Sequence, residues 1–469
     1  MKETWAISGL DLHLELAGHR IRAGLEGALR AAVQTGRLGP GARLPSSRAL
    51  AADLGIARNT VAEAYAQLLA EGWLTARQGS GTRVASGAVA PPPPAAGDTR
   101  SAPSARRLRY DLRAGSPDLS AFPRAAWLAA ARKAMANAPS RALGYGDPCG
   151  RPELRNALAA YLARARGVRA SPARIVICAG FTQGVDLLWR VLRDRGATRI
   201  GIEEYGQPGV LSALTARGLA PVMLGVDSSG AVLGSAIDAH AVLLTPAHQF
   251  PVGPALSPQR RAQAARWAAR TGGLIIEDDY DGEFRYDRKP VGALQALAPE
   301  HVVYAGTASK TLAPGLRLGW LVLPADLVQA VAEANALAGW HAGTFEQLTL
   351  AEFIAAGNYD RHIRRSRLAY RRRRDRLVAA LARRTPRVRL TGIAAGLHAL
   401  AELPAGQPED RAVASAAARG LAIESLGAYA LHRDAGHTRA PALVIGYATP
   451  PEHDYTSALA RLAAALQGR

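Results

Sequence analysis

The run from Leu274 to Trp320 constrains this chain more than any other stretch. It reads LIIEDDYDGEFRYDRKPVGALQALAPEHVVYAGTASKTLAPGLRLGW, in which two short apolar runs, Leu274 to Ile276 and His301 to Tyr304, each break into polar residues. Such runs mark strands buried on both faces, and strands of that kind belong to parallel sheets covered by helices. The reading is an α/β fold whose chemistry collects at the carboxyl ends of its strands.

Lys310 stands just past the second run. It is one of only four lysines (Lys2, Lys133, Lys289 and Lys310) among 58 lysines and arginines. Where arginine is the habit, a lysine kept in this turn points to a need for an amine that can lose its proton and form a Schiff base. Asp278 and Tyr280, two apart on the first strand, are expected to point the same way. A carboxylate and a phenol on one face could hold the pyridine nitrogen and ring oxygen of pyridoxal 5'-phosphate. Thr307, Ser309 and Arg317 add two hydroxyls and a bidentate cation suited to a phosphate. Upstream, RIVICAGFTQGVDLLWRVL reads as strand, turn and helix. The amides of Phe181 and Thr182 at that helix start are a further phosphate cradle. Lys289, in RYDRKP, reads as a surface loop charge.

The first 84 residues follow another pattern. Ile21, Leu25, Ala28, Leu29 and Val33 fall at helical spacing, and Gly36 ends that helix. Ser46 caps a second helix that Gly55 stops. A short turn leads into RNTVAEAYAQLLAEGWL, a third helix with Val61, Tyr65, Leu68 and Leu69 on one stripe and Arg58, Asn59 and Thr60 at its opening face. Two helices across a short turn, the second opening with polar and basic groups, can place base-reading side chains in a major groove. TARQGSGTRV follows as a hairpin with a glycine-rich tip. This segment holds ten Lys plus Arg against seven Asp plus Glu. Affinity for double-stranded DNA therefore rests on where those arginines point and on two copies acting together.

IIEDDYDGEF followed by TASKTLAPGLRLGW resembles the fold-type I aminotransferases, and LPSSRALAADLGIARNTVAEAY resembles the GntR-type winged helix in its MocR form. Together the motifs cover nearly the whole chain and resemble the MocR/GabR-type regulators. The resemblance implies a winged helix-turn-helix domain over 1–84, a Pro/Ala/Ser-rich linker over 85–109 and an aminotransferase-like domain that binds pyridoxal phosphate over 110–469. It implies that Lys310 is the Schiff-base lysine, Asp278 the partner of the pyridine nitrogen and Tyr280 the partner of the ring oxygen. Thr307, Ser309, Arg317, Phe181 and Thr182 would hold the phosphate. DNA contacts would come from Arg43, Arg48, Arg58, Asn59, Thr60, Gln78 and Gly79.

The departures from the family pattern are equally informative. Ala57 replaces a serine cap, so the third helix is expected to fray or to start nearer Thr60, which forms a capping-box pattern with Glu63. In RIGIEEYGQPGV, Gln207 holds the place of the family's ring-stacking tyrosine. Either Tyr205 takes over through a different turn or the ring is held less tightly. In LLTPAHQFPVG, His248 or Gln249 is expected to approach the ring oxygen. Tyr145 is either an arm residue reaching a partner subunit's site or a plain turn tyrosine. Val444 stands where aminotransferases carry the arginine that grips a substrate α-carboxylate, and Arg439 would have to swing in from a loop to replace it.

A net charge of +20 suits a polyanionic partner. The stretch DRHIRRSRLAYRRRRDRL, Asp360 to Leu377, is either a solvated helix face or a second surface for DNA phosphates. Cys149 and Cys178 match no metal spacing and suit a reducing cytoplasm. No apolar run is long enough for a bilayer, and the N-terminus lacks a signal layout. The expectation is a cytoplasmic, homodimeric transcription regulator on promoter repeats or inverted half-sites. Its effector is expected to be pyridoxal phosphate or a small amino compound, with control of vitamin B6 metabolism in view. An active aminotransferase carrying a DNA-binding domain is the alternative, and Val444 weighs against it.

Overall fold

A computed structural model describes residues 21–77, 81–86, 108–234, 237–286, 291–339, 342–432 and 439–467. The expectations for Gln78, Gly79, Lys289 and nearly all of the linker fall outside them. The chain divides into two compact units, Met1–Arg106 and Arg107–Arg469.

In the first unit, α1 (Ile21–Gln34), α2 (Ser47–Leu54) and α3 (Arg58–Ala70) precede a hairpin of β1 (Leu74–Arg77) and β2 (Gly81–Val84). Leu25, Leu29, Leu50, Val61 and Leu68 close one core beneath the three helices. Ser46 Oγ accepts from the Ala49 amide at 3.2 Å, which fixes the start of α2. Gly55, at φ 64°, ends it in the left-handed conformation that glycine adopts without a Cβ penalty.

The expected displacement of α3 toward Thr60 does not occur. The helix starts at Arg58, with Ala57 in the capping position and no side-chain bond there. The Thr60 amide bonds the Ala57 carbonyl at 3.0 Å. Glu63 takes Arg22 at 3.2 Å instead of closing a capping box. Burial of Val61 in the first turn outweighs the missing cap, because tertiary packing supplies most of a short helix's stability.

The second unit is built on a seven-stranded sheet. Its strands are β3 (Ile175–Cys178), β4 (Arg199–Glu203), β5 (Ala220–Leu224), β6 (Ala241–Leu244), β7 (Leu274–Asp278), β8 (Val302–Thr307) and β9 (Gly319–Val322). They lie in the order β3-β9-β8-β7-β6-β4-β5. All neighbours are parallel except β9, which runs antiparallel to both β8 and β3. The two apolar runs of the opening stretch thus become the adjacent central strands β7 and β8, in register from Ile275 opposite Val302. Strand β7 ends at Asp278, so Tyr280 lies in the turn beyond it rather than on the strand.

Helix α4 (Pro152–Arg166) buries Leu154, Leu158 and Leu162 on its expected stripe. Helix α5 (Phe181–Asp194) follows β3 across Gly180. A second, antiparallel sheet of β10 (Arg389–Thr391), β11 (His398–Glu402), β12 (Glu424–Ser425) and β13 (Ala442–Gly446) has the order β10-β11-β13-β12. Among the described residues no helix is long and apolar enough to cross a membrane.

The arginine-rich stretch lies on α6 (Asn358–Arg384) and is not uniformly solvated. Arg364, Arg365, Arg371 and Arg372 are exposed. Arg373 is buried, 2.6 Å from Asp118 and 2.8 Å from Glu452, and donates to the carbonyls of Ala448 and Pro450. Arg367 also donates to the Glu283 carbonyl and Arg376 to Glu452 and Thr456, so several arginines of the run tie the helix to the rest of the unit, Arg373 being the buried one.

Two outcomes follow for stability. Arg373→Ala strands the buried Asp118 carboxylate and should cost about 3–5 kcal/mol, whereas the pair Arg371→Glu and Arg372→Glu should each stay within about 0.5 kcal/mol. Denaturant midpoints of the three variants against the parent protein test this ranking. Ala57→Ser should raise the stability of the first unit by about 1 kcal/mol, read from its thermal midpoint, because the position already has extended backbone at φ −65° and ψ 137°.

Candidate functional site

The carboxyl ends of β4, β6, β7 and β8 open into a cavity of about 250 Å³. Lys310, Asp278, Tyr280, Thr307, Ser309, Arg317, Phe181, Thr182 and Tyr205 all line it. Lys310 Nζ donates to the Gly115 carbonyl at 2.5 Å. Gly115 is at φ 101°, and a Cβ there would come within 3.6 Å of that amine. Burial lowers the Lys310 pKa, opposed by the charges of Asp278 and Asp281. Burial also pushes the Asp278 carboxyl well above the carboxylate range, against the pull of Lys310. Asp278 Oδ1 is buried and has no hydrogen-bond partner among the described residues. An orphaned acceptor of that kind is costly unless something fills it.

At the other end of the cavity, Thr307 Oγ1 lies 2.9 Å from Ser309 Oγ and accepts from the Ser309 amide at 3.1 Å. Arg317 adopts a left-handed backbone at φ 50°, the one non-glycine residue with positive φ among the described residues. Its guanidinium lies 3.6 Å from where a Cβ on Gly180 would stand. Gly180, at φ 94°, precedes α5, whose first residues are Phe181 and Thr182. Two hydroxyls, a guanidinium and the open amides of a helix start thus gather in one place, the chemistry that receives a phosphate.

Two expected residues are not brought to the cavity wall. Gln249 is spent on its own loop and on the end of β4: Nε2 lies 3.1 Å from Glu203 Oε2, 3.0 Å from the Tyr205 carbonyl and 2.7 Å from the Phe250 carbonyl, and Oε1 accepts from the Val252 amide at 3.1 Å. His248 stands one layer behind Tyr280. Its Nδ1 is 2.9 Å from Asp281 Oδ2 and 3.1 Å from the Tyr280 hydroxyl. Phe250, next in sequence, reaches the wall in their place. The buried polar groups of the loop are satisfied by its own backbone and by the neighbouring strand ends, as a segment withdrawn from water requires.

Tyr205 and Gln207 both line the cavity, so neither of the alternatives for the ring-stacking place is removed. Val444 is fully buried on β13, opposite Leu400. Arg439 does not swing in: its Nη2 donates to the Val226 carbonyl at 2.6 Å and its guanidinium stands 6.0 Å from the Tyr205 ring centre. Tyr145 is fully exposed. Sequence reasoning missed Gly115, Glu203 and His398, which also line the cavity. Glu203 carried a signal, as the first acid after the IGI run. His398, in GLHAL, carried none.

In the first unit Arg43, Arg48, Arg58 and Asn59 are exposed, and Thr60 is half-buried. Arg43 pairs by a backbone bridge with Arg83 of β2, and its Nε lies 3.3 Å from where a Cβ on Gly81 would stand. Arg43 is thereby tied to the hairpin, while Arg58 and Asn59 open α3.

Comparison with known proteins agrees with this division. Residues 22–84 match bacterial regulatory proteins of the gntR family, and residues 110–462 match aminotransferase class I and II. The chain is thus a helix-turn-helix transcription regulator with an aminotransferase-like second domain. It is 34% identical over 89% of its length to the HTH-type pyridoxine biosynthesis transcriptional regulator PdxR of Corynebacterium glutamicum, covering 91% of that protein. It is 34% identical to the probable rhizopine catabolism regulatory protein MocR of Rhizobium meliloti, over 76% of each chain. Among solved structures, an archaeal alanine:glyoxylate aminotransferase matches with a TM-score of 0.70 and 25% identity, over 77% of this chain and 91% of that one. Kynurenine aminotransferase of Pyrococcus horikoshii gives 0.68 and 25%, over 76% and 90%. The chain belongs to the MocR/PdxR-type members of the GntR regulators.

Glu203 gives this site a measurable signature. Burial pushes its carboxyl from 4.5 up to about 7, although Thr245 and Gln249 both bond it. A raised carboxyl binds its proton more tightly folded than unfolded, so the associated stability is present below pH 4.5 and is lost as pH rises to about 7. The loss amounts to at most about 3 kcal/mol. Burial also raises Glu277 and Glu283, so part of the slope belongs to them. Denaturant midpoints between pH 4.5 and 8 should fall with rising pH in the parent protein, and Glu203→Gln should flatten that fall measurably.

Proposed function

We propose that the second unit binds pyridoxal 5'-phosphate through Lys310 and that the first unit converts this binding into a change in how a promoter is held. The observation that carries the reading is the pairing of the buried amine of Lys310 with the unpartnered Oδ1 of Asp278 in one cavity. The donor set fits the cofactor. Asp278 would take the pyridine nitrogen and Tyr280 the ring oxygen. Thr307, Ser309, Arg317 and the amides of Phe181 and Thr182 would take the phosphate, and Tyr205 would wall the ring. When bound, the cofactor supplies an aldehyde that an amine can capture and a ring that withdraws electrons.

Each residue has a definite task around it. Burial keeps a larger share of Lys310 as the free amine, the nucleophilic form. Burial likewise raises the Tyr280 pKa well above its ordinary value, so its hydroxyl stays a donor. His248 and Asp281 hold that hydroxyl from behind. Phe250 packs edge-on against the Tyr280 ring at 5.8 Å and keeps water from that side.

Val444 supports a sensor over an amino-acid transaminase, since no bidentate clamp for an α-carboxylate stands on β13. Likeness to a relative named for pyridoxine biosynthesis supports pyridoxal phosphate itself as the signal, with vitamin B6 supply as the regulated process. The regulator would act in the cytoplasm as a homodimer, two winged helices meeting repeated or inverted half-sites on double-stranded DNA through Arg43, Arg48, Arg58, Asn59, Thr60, Gln78 and Gly79. A ligand shifts such an assembly only as far as it binds two arrangements unequally. The second reading, an active aminotransferase, draws on the solved neighbours and predicts turnover of amino donors.

Borohydride reduction of the loaded protein and peptide mapping should place the label on Lys310. Lys310→Ala should lose both the label and the absorbance near 400 nm, and should weaken cofactor binding at least about tenfold. Equal DNA affinity and footprint with and without pyridoxal phosphate would overturn the coupling, and steady release of keto product from amino acids would favour the enzyme.

A further inference from the structure

The cavity wall contains a residue with no assigned task. His398 opens β11 and is buried, yet its ring lines the same cavity as Lys310 and Tyr280. Nε2 lies 3.1 Å from the Pro251 carbonyl. A carbonyl only accepts, so Nε2 carries the hydrogen and Nδ1 is left with its lone pair. No partner for Nδ1 occurs among the described residues. Burial, with His248 and Lys310 nearby, holds the ring's pKa well below its usual range, so it stays neutral.

The ring is also fixed in place. His248 packs on it at 4.9 Å and Phe250 meets it edge-on at 5.1 Å. Gly396, two residues earlier, has φ 74°, and a Cβ there would fall 2.4 Å from both Asp281 and His248. The chain leading to His398 is therefore seated on the group that backs Tyr280. Around it, the only cations lining the cavity among the described residues are Lys310 and Arg317, and Arg317 sits at Gly180. Beside His398 the lining is aliphatic, with Leu397 and Leu431, while Val444 of the neighbouring strand is buried in the core and Arg439 is held on Val226.

The geometry points to His398 as the specificity-determining residue of the cavity: it accepts a hydrogen bond from a hydroxyl or amino group on a ligand carried against the cofactor, and this wall refuses a carboxylate. The inference rests on the cofactor reading above and names the ligand class of that site. Two effects combine. A donor on the ligand finds the open lone pair of Nδ1. A carboxylate finds a lone pair and aliphatic carbon, with no guanidinium to offset its lost hydration.

Stable reduced conjugates test it, because they bind without any bond to Lys310. Phosphopyridoxyl-ethanolamine, phosphopyridoxyl-propylamine and phosphopyridoxyl-L-alanine are titrated by calorimetry into the full-length protein. The ethanolamine conjugate should bind about tenfold more tightly than the propylamine conjugate, and the alanine conjugate no more tightly than the propylamine one. His398→Phe should bring the ethanolamine and propylamine conjugates level. His398→Gln, which restores an acceptor, should recover most of the preference. A parent protein that treats ethanolamine and propylamine alike, a preference that survives His398→Phe, or tightest binding of the alanine conjugate overturns this assignment alone. Failure of all three conjugates to bind the parent protein overturns the cofactor reading, and this assignment with it.

Discussion

The cavity hangs from one buried ion pair. Arg166, at the end of α4, grips Asp279 with Nε at 2.6 Å and Nη2 at 2.9 Å, and Tyr304 of β8 donates to the same carboxylate at 2.8 Å. Two charges withdrawn from water hold only when geometry and further hydrogen bonds are both good, and removing one partner of such a pair is severe. Gly282 makes room for it: a Cβ there would stand 2.1 Å from Asp279 Oδ1 and 2.3 Å from Arg166 Nη2. With Asp279 pinned outward, its neighbours Asp278 and Tyr280 are sent to the cavity, and Asp281 is sent back to His248. Consecutive side chains thus take different tasks because one of them is anchored.

Much of this was legible in the residues. Short apolar runs that break into polar residues marked the central strands, and the rarity of lysine marked Lys310. The motif spacing grouped Asp278, Tyr280, Thr307, Ser309 and Arg317, which the fold brings to one cavity. What local pattern could not supply was depth. His248 and Gln249 are polar loop residues in a motif that approaches the cavity, and nothing in their spacing says that Asp281, Tyr280, Glu203 and the loop backbone consume their hydrogen bonds. Arg373 looked like one more charge in a solvated run, because its partners Asp118 and Glu452 are remote in sequence. Ala57 misled in the opposite direction: a local capping rule lost to burial of Val61, a tertiary effect.

The fate of β13 separates fold from chemistry. Gly446 remains indispensable, since a Cβ there would lie 2.2 Å from the Arg113 carbonyl. Its amide bonds the Leu112 carbonyl at 2.7 Å, seating the segment that delivers Gly115 to Lys310. Two residues earlier, Val444 is ordinary core. The strand keeps its packing duty and drops the charge that would engage an amino acid, a combination suited to a domain that holds a small molecule without processing it.

The cavity draws its walls from both sheets of the second unit: Asp278 and Thr307 from the parallel one, Leu397 and His398 from the antiparallel one and the turn before it. Whatever settles there becomes mortar between the two slabs. A small molecule there would touch both slabs at once, so the first consequence of capture would be mechanical, a damping of shear between them.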